Sequence, residues 1–279
     1  MKISIVIPVY NEAAHLSACL ESIAAQTIAP YEVIVVDNNS SDASASIAAA
    51  YVFVTILGEP KQGVVHARNR GFNAAQADII GRIDADSLLP ADWTARVRAI
   101  FKDDNVAAVS GAPHYYDFPL ASLAEAIDWL LRAHLARQLK DTNFLWGANM
   151  AVRRSAWRQV RAQLCSDRGM HEDFDLGIHL QANGLVVAYE KSLVSGVSSR
   201  RIDTRFLSYV RYTLVSPKTY ALHDLRSRWH MYPVLLVCWL CYLPGRLIYR
   251  AYNPKTQSFS LIQLLATTAS RVDPTTNIV

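Results

Sequence analysis

Apolar runs alternate with amphipathic stretches through the first hundred residues of the chain. Continuous apolar runs are typical of strands buried on both faces, and they predict strands at Ile3–Val9, Glu32–Asp37, Tyr51–Leu57, Ile79–Asp84 and Val106–Ser110. Apolar residues at helical spacing predict the intervening helices: one capped by Asn11, one from about Ser41, and two over Gly63–Ala75 and Ala91–Phe101. This alternation with short connections predicts an α/β fold with an open, mostly parallel, twisted sheet flanked by helices, as in Rossmann-like nucleotide-binding domains.

The pattern changes after about residue 110. A long amphipathic helix is predicted from Leu120 to about Leu139, with an apolar side formed by Leu123, Ile127, Leu130, Leu131 and Leu135. Phe144–Val152 is typical of a loop that enters a strand. A helix over Asp173–Asn183 is expected to end at Gly184, and a short last strand follows at Leu185–Tyr189.

Polar residues collect where the predicted parallel strands end. They are Tyr10, Asn11 and Glu12 after the first strand, Asp37 to Asp42 after the second, and Asp84 to Ser87 after the fourth. Open α/β sheets bind ligands beyond the carboxyl ends of their strands, so a functional site is predicted there. Because the sequence contains no dinucleotide glycine fingerprint and no Walker loop, NAD enzymes and P-loop ATPases are disfavoured.

Asp84-Ala85-Asp86 is the first candidate for chemistry. Residues i and i+2 leaving a strand point the same way, so both carboxylates would face one spot. Two carboxylates held so close repel each other, and a bound cation would relieve this repulsion. Ligands that are all oxygen atoms suit Mg²⁺ or Mn²⁺. The alternative is a solvated loop with two acids at a strand end.

Two further groups of charged residues have both a functional and a structural interpretation. Glu172 and Asp173 begin the predicted helix after His171, either as acids that favour the positive end of a helix or as a general base for a hydroxyl nucleophile. Arg68 and Arg70 follow Lys61-Gln62-Gly63 on a predicted helix, either as surface charges or as donors to a diphosphate.

Charge is distributed unevenly over the 279 residues. The net charge is +4, but residues 200–255 contain ten Lys and Arg against two Asp, a balance of +8, which leaves −4 for the remainder. A basic C-terminal third favours an anionic partner. The four cysteines show no disulfide spacing, and Cys238 and Cys241 form a CxxC without a second pair, so reduced thiols in a cytosolic protein are expected. The short N-terminal apolar run does not resemble a secretory signal.

The basic third contains an apolar run, Tyr232–Leu243, that Pro244 is expected to break. It is shorter than the roughly twenty residues that span a bilayer. Flanking arginines and tryptophans favour an interfacial segment on anionic lipid, and the alternative for the region 232–249 is an ordinary buried helix. Nucleic acid is not expected as a partner, because no nucleic-acid-binding module accompanies the basic residues.

Taken together, the motifs of residues 1–200 resemble those of the family 2 glycosyltransferases, which have the GT-A fold. The resemblance lies in six segments that follow one another in the family's order: Val6–Glu12, Val35–Asp42, Gly63 with Ala67–Gly71, Asp84–Asp86, Gly147–Arg154 and Glu172–Gly177. It implies an inverting transfer of a sugar from a nucleotide-sugar donor to an acceptor hydroxyl, dependent on Mg²⁺ or Mn²⁺. The basic, aromatic tail would suit a role in the synthesis of a cell-surface glycan or glycolipid.

The resemblance also implies roles for individual residues. Asp173 would be the catalytic base, with Glu172 beside it at the sugar. Asp86 would bind the metal, together with Asp84, which would also contact the nucleoside side. The other donor-binding residues would be Pro8, Tyr10, Glu12 and Asp37 at the nucleoside, Arg68 near the diphosphate, and Gly147 and Asn149 around the sugar and acceptor pocket. One departure is that Val194–Arg201 contains no histidine where many relatives have one, and Arg200 or Arg201 is a candidate replacement.

The predicted organisation is a catalytic GT-A domain over residues 1–225 and an apolar, basic extension over 226–279. Residues 1–110 would form the nucleotide-sugar-binding half and 111–225 the acceptor-binding half. The expected partners are a nucleotide-sugar donor, a glycan or lipid-linked acceptor and, through the extension, the cytoplasmic face of a membrane. Two alternatives are a sugar nucleotidyltransferase, disfavoured by the acidic, glycine-free Tyr10-Asn11-Glu12, and a catalytically silent binding subunit, disfavoured by the presence of both Asp86 and Asp173.

Overall fold

The structure, a computed structural model, describes residues 1–138, 145–166, 169–254, 256–260 and 264. Its strands are β1 (Ile3–Val9), β2 (Glu32–Asp37), β3 (Val54–Gly58), β4 (Ile79–Arg82), β5 (Val106–Tyr115), β6 (Met150–Arg153), β7 (Val186–Val197), β8 (Tyr252–Asn253) and β9 (Ser258–Phe259). Its α-helices are α1 (Leu16–Ala24), α2 (Ser44–Ala49), α3 (Val64–Ala74), α4 (Trp93–Ile100), α5 (Ala121–Gln138), α6 (Arg154–Val160), α7 (Glu172–Ala182), α8 (Phe206–Leu222) and α9 (Met231–Ala251).

Seven strands form one mixed sheet in the order β3-β2-β1-β4-β6-β5-β7. The four strands β3, β2, β1 and β4 run parallel, whereas β6 is antiparallel to both β4 and β5. In the register of β1 and β2, Val9 lies opposite Asp37, so both strands end at the same edge. The predicted open, mostly parallel α/β sheet is therefore confirmed.

Both faces of the sheet are buried, which explains the unbroken apolar runs of its parallel strands. Side chains alternate between the faces: Ile5 and Ile7 of β1 pack in one core cluster with Trp93, whereas Val6 packs in the other with Trp157. The strands are thus packed against helices on both faces. The polar residues that follow the strand ends are therefore attached to well-packed secondary structure.

The first helix begins later than the sequence suggests. Asn11 was predicted as its N-cap, but α1 starts at Leu16, after His15. Asn11 instead has a positive φ of 53°, a conformation that asparagine tolerates better than most residues. Its side-chain oxygen accepts the N–H of Ser41 at 2.7 Å, so the residue joins two loops rather than capping a helix.

Several other boundaries differ from the prediction. The strand expected from Tyr51 begins at Val54, and the last strand of the main sheet extends to Val197. The helix end at Gly184 is confirmed, with φ +74° at the glycine and the N–H of Leu185 donating to the carbonyl of Leu180. Leu139 and Phe144, which bound two predicted segments, lie outside the described residues.

The C-terminal apolar helix is longer than predicted, because α9 continues through Pro244 to Ala251. Pro233 lies in the first turn, where its missing N–H costs nothing, and Pro244 is accommodated in the helix interior. The segment Arg226–Ala251 is by length and composition able to cross a membrane, and 17% of its most apolar stretch is buried. The predicted break at Pro244 was wrong, so the helix is longer than the twelve-residue apolar run from which its length was judged.

Helix α5 begins one residue after its predicted start at Leu120 but buries little of its predicted apolar side. Of the five residues on that side only Leu135 is buried, and Leu123 and Leu130 are exposed. Its apolar positions therefore do not form part of the two core clusters of the sheet.

The chain forms two compact units that alternate along the sequence. One comprises the described residues within Met1–Pro113, Thr142–Ser166 and Glu172–Gly196, and the other those within His114–Asp141, Asp167–His171 and Val197–Val279. These boundaries differ from the predicted division at residue 225, and a functional division into catalytic domain and extension stays a prediction. The first unit contains every residue of the predicted donor and catalytic site.

Candidate active site

The loops after β1 and β2 are tied together by side chains that accept backbone N–H groups. The N–H of Glu12 donates to the Ser44 hydroxyl at 2.8 Å, and the N–H of Ala13 donates to an Asp42 carboxylate oxygen at 3.0 Å. The predicted nucleoside-binding residues Pro8, Tyr10 and Glu12 are partly buried along this pair of loops. The backbone that carries them is thus held by the side chains of Asp42 and Ser44.

Asp37 ends β2 with a buried carboxylate oxygen, Oδ1, that has no hydrogen-bond partner among the described residues. A buried acceptor left without a donor costs on the order of 1–3 kcal/mol. An N–H group of a bound ligand would satisfy it, which fits the predicted contact between Asp37 and a nucleoside.

Arg68 lies in α3 and is fully buried, which the sequence did not indicate. Its Nη1 donates to the carbonyl oxygen of Glu172 at 3.0 Å, and its guanidinium lies over the rings of Phe72 and Trp157. Burial lowers the pKa of Arg68 to about 10, partly offset by Glu172. Its predicted diphosphate contact stays a prediction, and this burial favours a role in holding the start of α7.

Asp84 and Asp86 follow β4 in a turn closed by Ser87. The hydroxyl of Ser87 accepts the N–H of Asp84 at 3.2 Å, and the Ser87 N–H donates to the Asp84 carbonyl at 3.0 Å. Asp86 is buried, and the Asp84 side chain is 38% exposed. A set of carboxylate oxygens on an ordered turn, one of them reachable from solvent, fits Mg²⁺ or Mn²⁺.

Arg82 is the central residue of the site and was missed in the sequence. Its Nη2 lies 3.1 Å from Asp84 Oδ1 and 3.0 Å from Glu172 Oε1, and the side chains of Arg82 and Glu172 are each only 5% exposed. One guanidinium thus joins the turn after β4 to the first residue of α7. An arginine at the end of the otherwise apolar strand β4 was the available signal, because a charge in a buried strand requires a partner.

Gly147 is a glycine because Arg82 occupies the space of a side chain. A Cβ atom at position 147 would lie 1.0 Å from Arg82 Nη1. The Gly147 N–H donates to Asp173 Oδ2 at 2.7 Å. This glycine therefore touches both the bridging arginine and the predicted base, which no local sequence pattern could show.

Asp173 is a buried carboxylate whose two oxygens are held by backbone N–H groups. Oδ2 accepts from Gly147, and Oδ1 accepts from Phe174 at 2.9 Å. Burial raises the pKa of Asp173 above its ordinary value, and Arg82 and the two N–H donors act in the opposite direction. A carboxylate with a raised pKa binds a proton more strongly, which suits a general base.

Asn149 is fully buried, and its amide is occupied by the protein. Its Nδ2 donates to the carbonyls of Leu193 at 2.7 Å and Ala112 at 3.1 Å, and its Oδ1 accepts the indole N–H of Trp93 at 2.9 Å. These bonds connect strands β5 and β7 with α4. Direct contact of Asn149 with a sugar stays a prediction, and its environment argues for a structural role.

The candidate replacements for the late histidine, Arg200 and Arg201, belong to the second compact unit. Arg201 lies in the second compact unit, with its guanidinium 3.9 Å from the ring centre of Tyr212. A diphosphate contact by Arg200 or Arg201 stays a prediction.

The fold and this site define the class of protein as a GT-A glycosyltransferase. A family model described as glycosyl transferase family 2 matches residues 4–161. Because the match covers more than half of the chain, the chain belongs to that family. The expectation drawn from the six motifs is therefore confirmed at the level of the family and fold.

Curated relatives in this family match parts of the chain. Glycosyltransferase AglE from Haloferax volcanii is 30% identical over 165 residues, which cover 57% of this chain and 54% of AglE. A PGL/p-HBAD biosynthesis glycosyltransferase from Mycobacterium bovis is 43% identical over 104 residues, covering 34% of this chain and 40% of the relative. The chain thus matches about half or less of the length of these relatives.

Solved structures show the same fold at low identity. Mannosyltransferase PcManGT from Pyrobaculum calidifontis, solved with GDP-Man and Mn²⁺, superposes with a TM-score of 0.65 at 22% identity, covering 94% of this chain and 77% of the other. Glucosyl-3-phosphoglycerate synthase from Mycobacterium tuberculosis, solved with Mn²⁺, UDP-glucose and phosphoglyceric acid, gives 0.56 at 18% identity and 80% coverage of both.

Proposed function

We propose that this chain is an inverting glycosyltransferase that uses a nucleotide-sugar donor and a divalent cation. The observation that carries the proposal is the position of Arg82, which pairs with Asp84 of the predicted cation site and with Glu172 next to the predicted base. Family membership favours this function over a sugar nucleotidyltransferase. The donors in PcManGT and glucosyl-3-phosphoglycerate synthase support the choice of donor class.

Asp84 and Asp86 would hold Mg²⁺ or Mn²⁺, which when bound neutralises charge on the leaving diphosphate. Asp37 would accept an N–H of the nucleoside with its otherwise unpaired oxygen. Asp173 would take the proton of the acceptor hydroxyl on a carboxylate oxygen as that hydroxyl attacks the anomeric carbon. Arg82, held against Gly147, would keep Glu172 in place beside the base.

The test is calorimetric titration of the protein with UDP-, GDP- and dTDP-sugars, in Mn²⁺, in Mg²⁺ and in EDTA. We expect one nucleotide to bind, and binding to weaken strongly in EDTA and in Asp86→Ala, because the carboxylate cation site is then lost. Asp104→Ala, at an almost fully exposed aspartate, is the matched control. Equal binding by wild type and Asp86→Ala in Mn²⁺ would contradict the assignment of the cation site. Donor binding without sugar transfer to any acceptor or water would favour the silent binding subunit.

We further propose that the acceptor is a glycan or lipid-linked molecule of the cell envelope and that α9 binds the cytoplasmic face of a membrane. One side of α9 is fixed to its own compact unit, where the Trp239 indole donates to the Thr213 hydroxyl at 2.9 Å and the Tyr242 hydroxyl donates to the Thr204 carbonyl at 2.6 Å. The other side exposes a leucine row at helical spacing: Leu236, Leu240, Leu243 and Leu247. A helix held on one side and apolar on the other fits an interfacial position.

Vesicle sedimentation tests this contact. We expect the full chain to sediment with vesicles that contain phosphatidylglycerol, and Leu240→Glu to reduce the bound fraction, because a charge would enter the apolar layer. Leu123→Glu, at a similarly exposed leucine of α5, is the control and should bind as wild type does. No sedimentation of wild type, or an equal loss in both variants, would contradict the proposal.

A further inference from the structure

A second group of metal-ligating side chains includes none of the carboxylates of the donor site. Asp175 and His179 are one turn apart on α7, and Cys165 lies in the segment between α6 and α7. The ligand atoms of these three residues lie within 4.8 Å of one another. None of them has a role in the function proposed above.

The separations between these ligand atoms lie near those of a tetrahedral zinc site. Zn²⁺ binds sulfur at about 2.3 Å and nitrogen or oxygen at about 2.0–2.2 Å, so tetrahedral ligands lie roughly 3.3–3.6 Å apart. His179 Nε2 lies 3.4 Å from Asp175 Oδ1 and 4.0 Å from Cys165 Sγ. The nitrogen thus faces both other ligand atoms: its distance to the Asp175 oxygen lies within the tetrahedral range, and its distance to the Cys165 sulfur is somewhat longer.

The Asp175 carboxylate is oriented for a single bond to a metal. Asp175 is fully buried. Its Oδ2 accepts the N–H of Cys165 at 3.2 Å, while Oδ1 faces His179. Hydrogen bonds to the non-ligating atom of a ligand are the usual support of a metal site.

We propose that Cys165, Asp175 and His179 form a Zn²⁺ site that is separate from the cation site of the donor. Binding requires the Cys165 thiol to release its proton to solvent and His179 to present a neutral Nε2. A fourth tetrahedral position is filled by water or another donor. One thiolate and one imidazole favour Zn²⁺ over Mg²⁺ or Mn²⁺, the ions that suit the carboxylates of the donor site.

The consequence of this site would be to position the predicted base. Cys165 precedes α7, and Asp175 lies two residues after Asp173, so a metal bound by these residues would fix the segment before α7 to its first turns. The three zinc ligands are therefore positioning residues. Loss of the metal should lower the thermal midpoint and the cooperativity of unfolding in addition to any effect on turnover.

The experiment measures metal content and ligand identity directly. The full chain is loaded with Zn²⁺ under reducing conditions, desalted and analysed by plasma mass spectrometry, and the Co²⁺-loaded form is examined for thiolate-to-cobalt charge transfer. We expect one zinc per chain in wild type, and loss of the zinc and of the charge-transfer band in Cys165→Ser and His179→Gln. The matched controls are Cys238→Ser/Cys241→Ser, which removes the CxxC thiols, and Asp86→Asn, which removes a predicted donor-site ligand; both should keep zinc.

Each result bears on the proposal. Wild type without stoichiometric zinc and without a cobalt–thiolate band overturns it, as does zinc that persists in Cys165→Ser or disappears in Asp86→Asn. If a ligand variant fails to fold, the cobalt spectrum of Cys19→Ser/Cys238→Ser/Cys241→Ser, in which Cys165 is the remaining cysteine, still decides whether Cys165 is a ligand. Zinc retained by a protein that binds no nucleotide-sugar would support this site while contradicting the proposed function. The failure of the zinc proposal can therefore be distinguished from the failure of the proposed function.

Discussion

Replacing Asp173 with asparagine is expected to lower kcat by on the order of 10²–10⁴-fold, the usual contribution of a general base. Asparagine keeps the size of the side chain and one acceptor oxygen, so it can still accept an N–H from Gly147 or Phe174. It cannot take a proton from an attacking hydroxyl. Donor binding should be retained, because the groups proposed to hold the nucleotide and cation are unchanged.

Steady-state kinetics with a donor identified by calorimetry would measure this effect, together with a titration of the same donor. Asp104→Asn is the matched control, because the Asp104 side chain is 97% exposed and its loss should change neither constant. A kcat within about threefold of wild type for Asp173→Asn would contradict the assignment of Asp173 as the general base, since the smallest expected effect is about 10²-fold. A loss of donor binding of the same size as the loss of kcat would instead show that the variant disturbs the whole site.

Replacing Arg82 with methionine is expected to destabilise the fold by about 3–5 kcal/mol, the usual cost of removing one partner of a buried ion pair. Methionine retains the length and much of the apolar volume of the arginine, but Glu172 is left without its paired cation in a position where only 5% of its side chain is exposed. Sugar transfer should also fall, measured on the folded protein, because Arg82 is the link between Asp84 and Glu172.

Urea unfolding would measure the stability change, with a second substitution to test its cause. Arg82→Met/Glu172→Gln should be more stable than Arg82→Met alone, because the uncompensated buried charge is then removed; coupling of contacting residues is about 0.5–3 kcal/mol. Arg96→Met is the control, since Arg96 and Asp92 form a solvent-exposed pair whose loss should change the stability little. A loss in Arg82→Met no larger than that in Arg96→Met would show that the buried pair contributes little.

The fold and most of the site positions could be predicted because their signals are local. Unbroken apolar runs identify strands buried on both faces, and acids placed directly after such runs identify the edge where a ligand binds. Asp37, Asp84 and Asp86 could be placed there for this reason alone. The resemblance to the family added the roles of Glu172 and Asp173, whose local pattern was equally compatible with ordinary acids at the start of a helix.

The helix boundaries that failed depended on interactions with distant residues. Asn11 has the composition of an N-cap, but its side chain accepts an N–H from Ser41, thirty residues later. Pro244 was expected to end a helix, but the helix continues through it to Ala251. In both cases local propensity was overridden by packing or hydrogen bonding that the spacing of residues does not report.

The sequence by itself thus determined the mostly parallel α/β sheet, the family, and the carboxylates at its strand ends, because hydrophobic periodicity and motif order are properties of neighbouring residues. Only the tertiary structure decided that Arg82 joins Asp84 to Glu172, that Gly147 must lack a side chain, and that Arg68 is buried. These contacts connect residues up to about a hundred positions apart, and a buried charge is stable only where its partner lies in space. The arrangement of the buried charges is therefore a property of the fold.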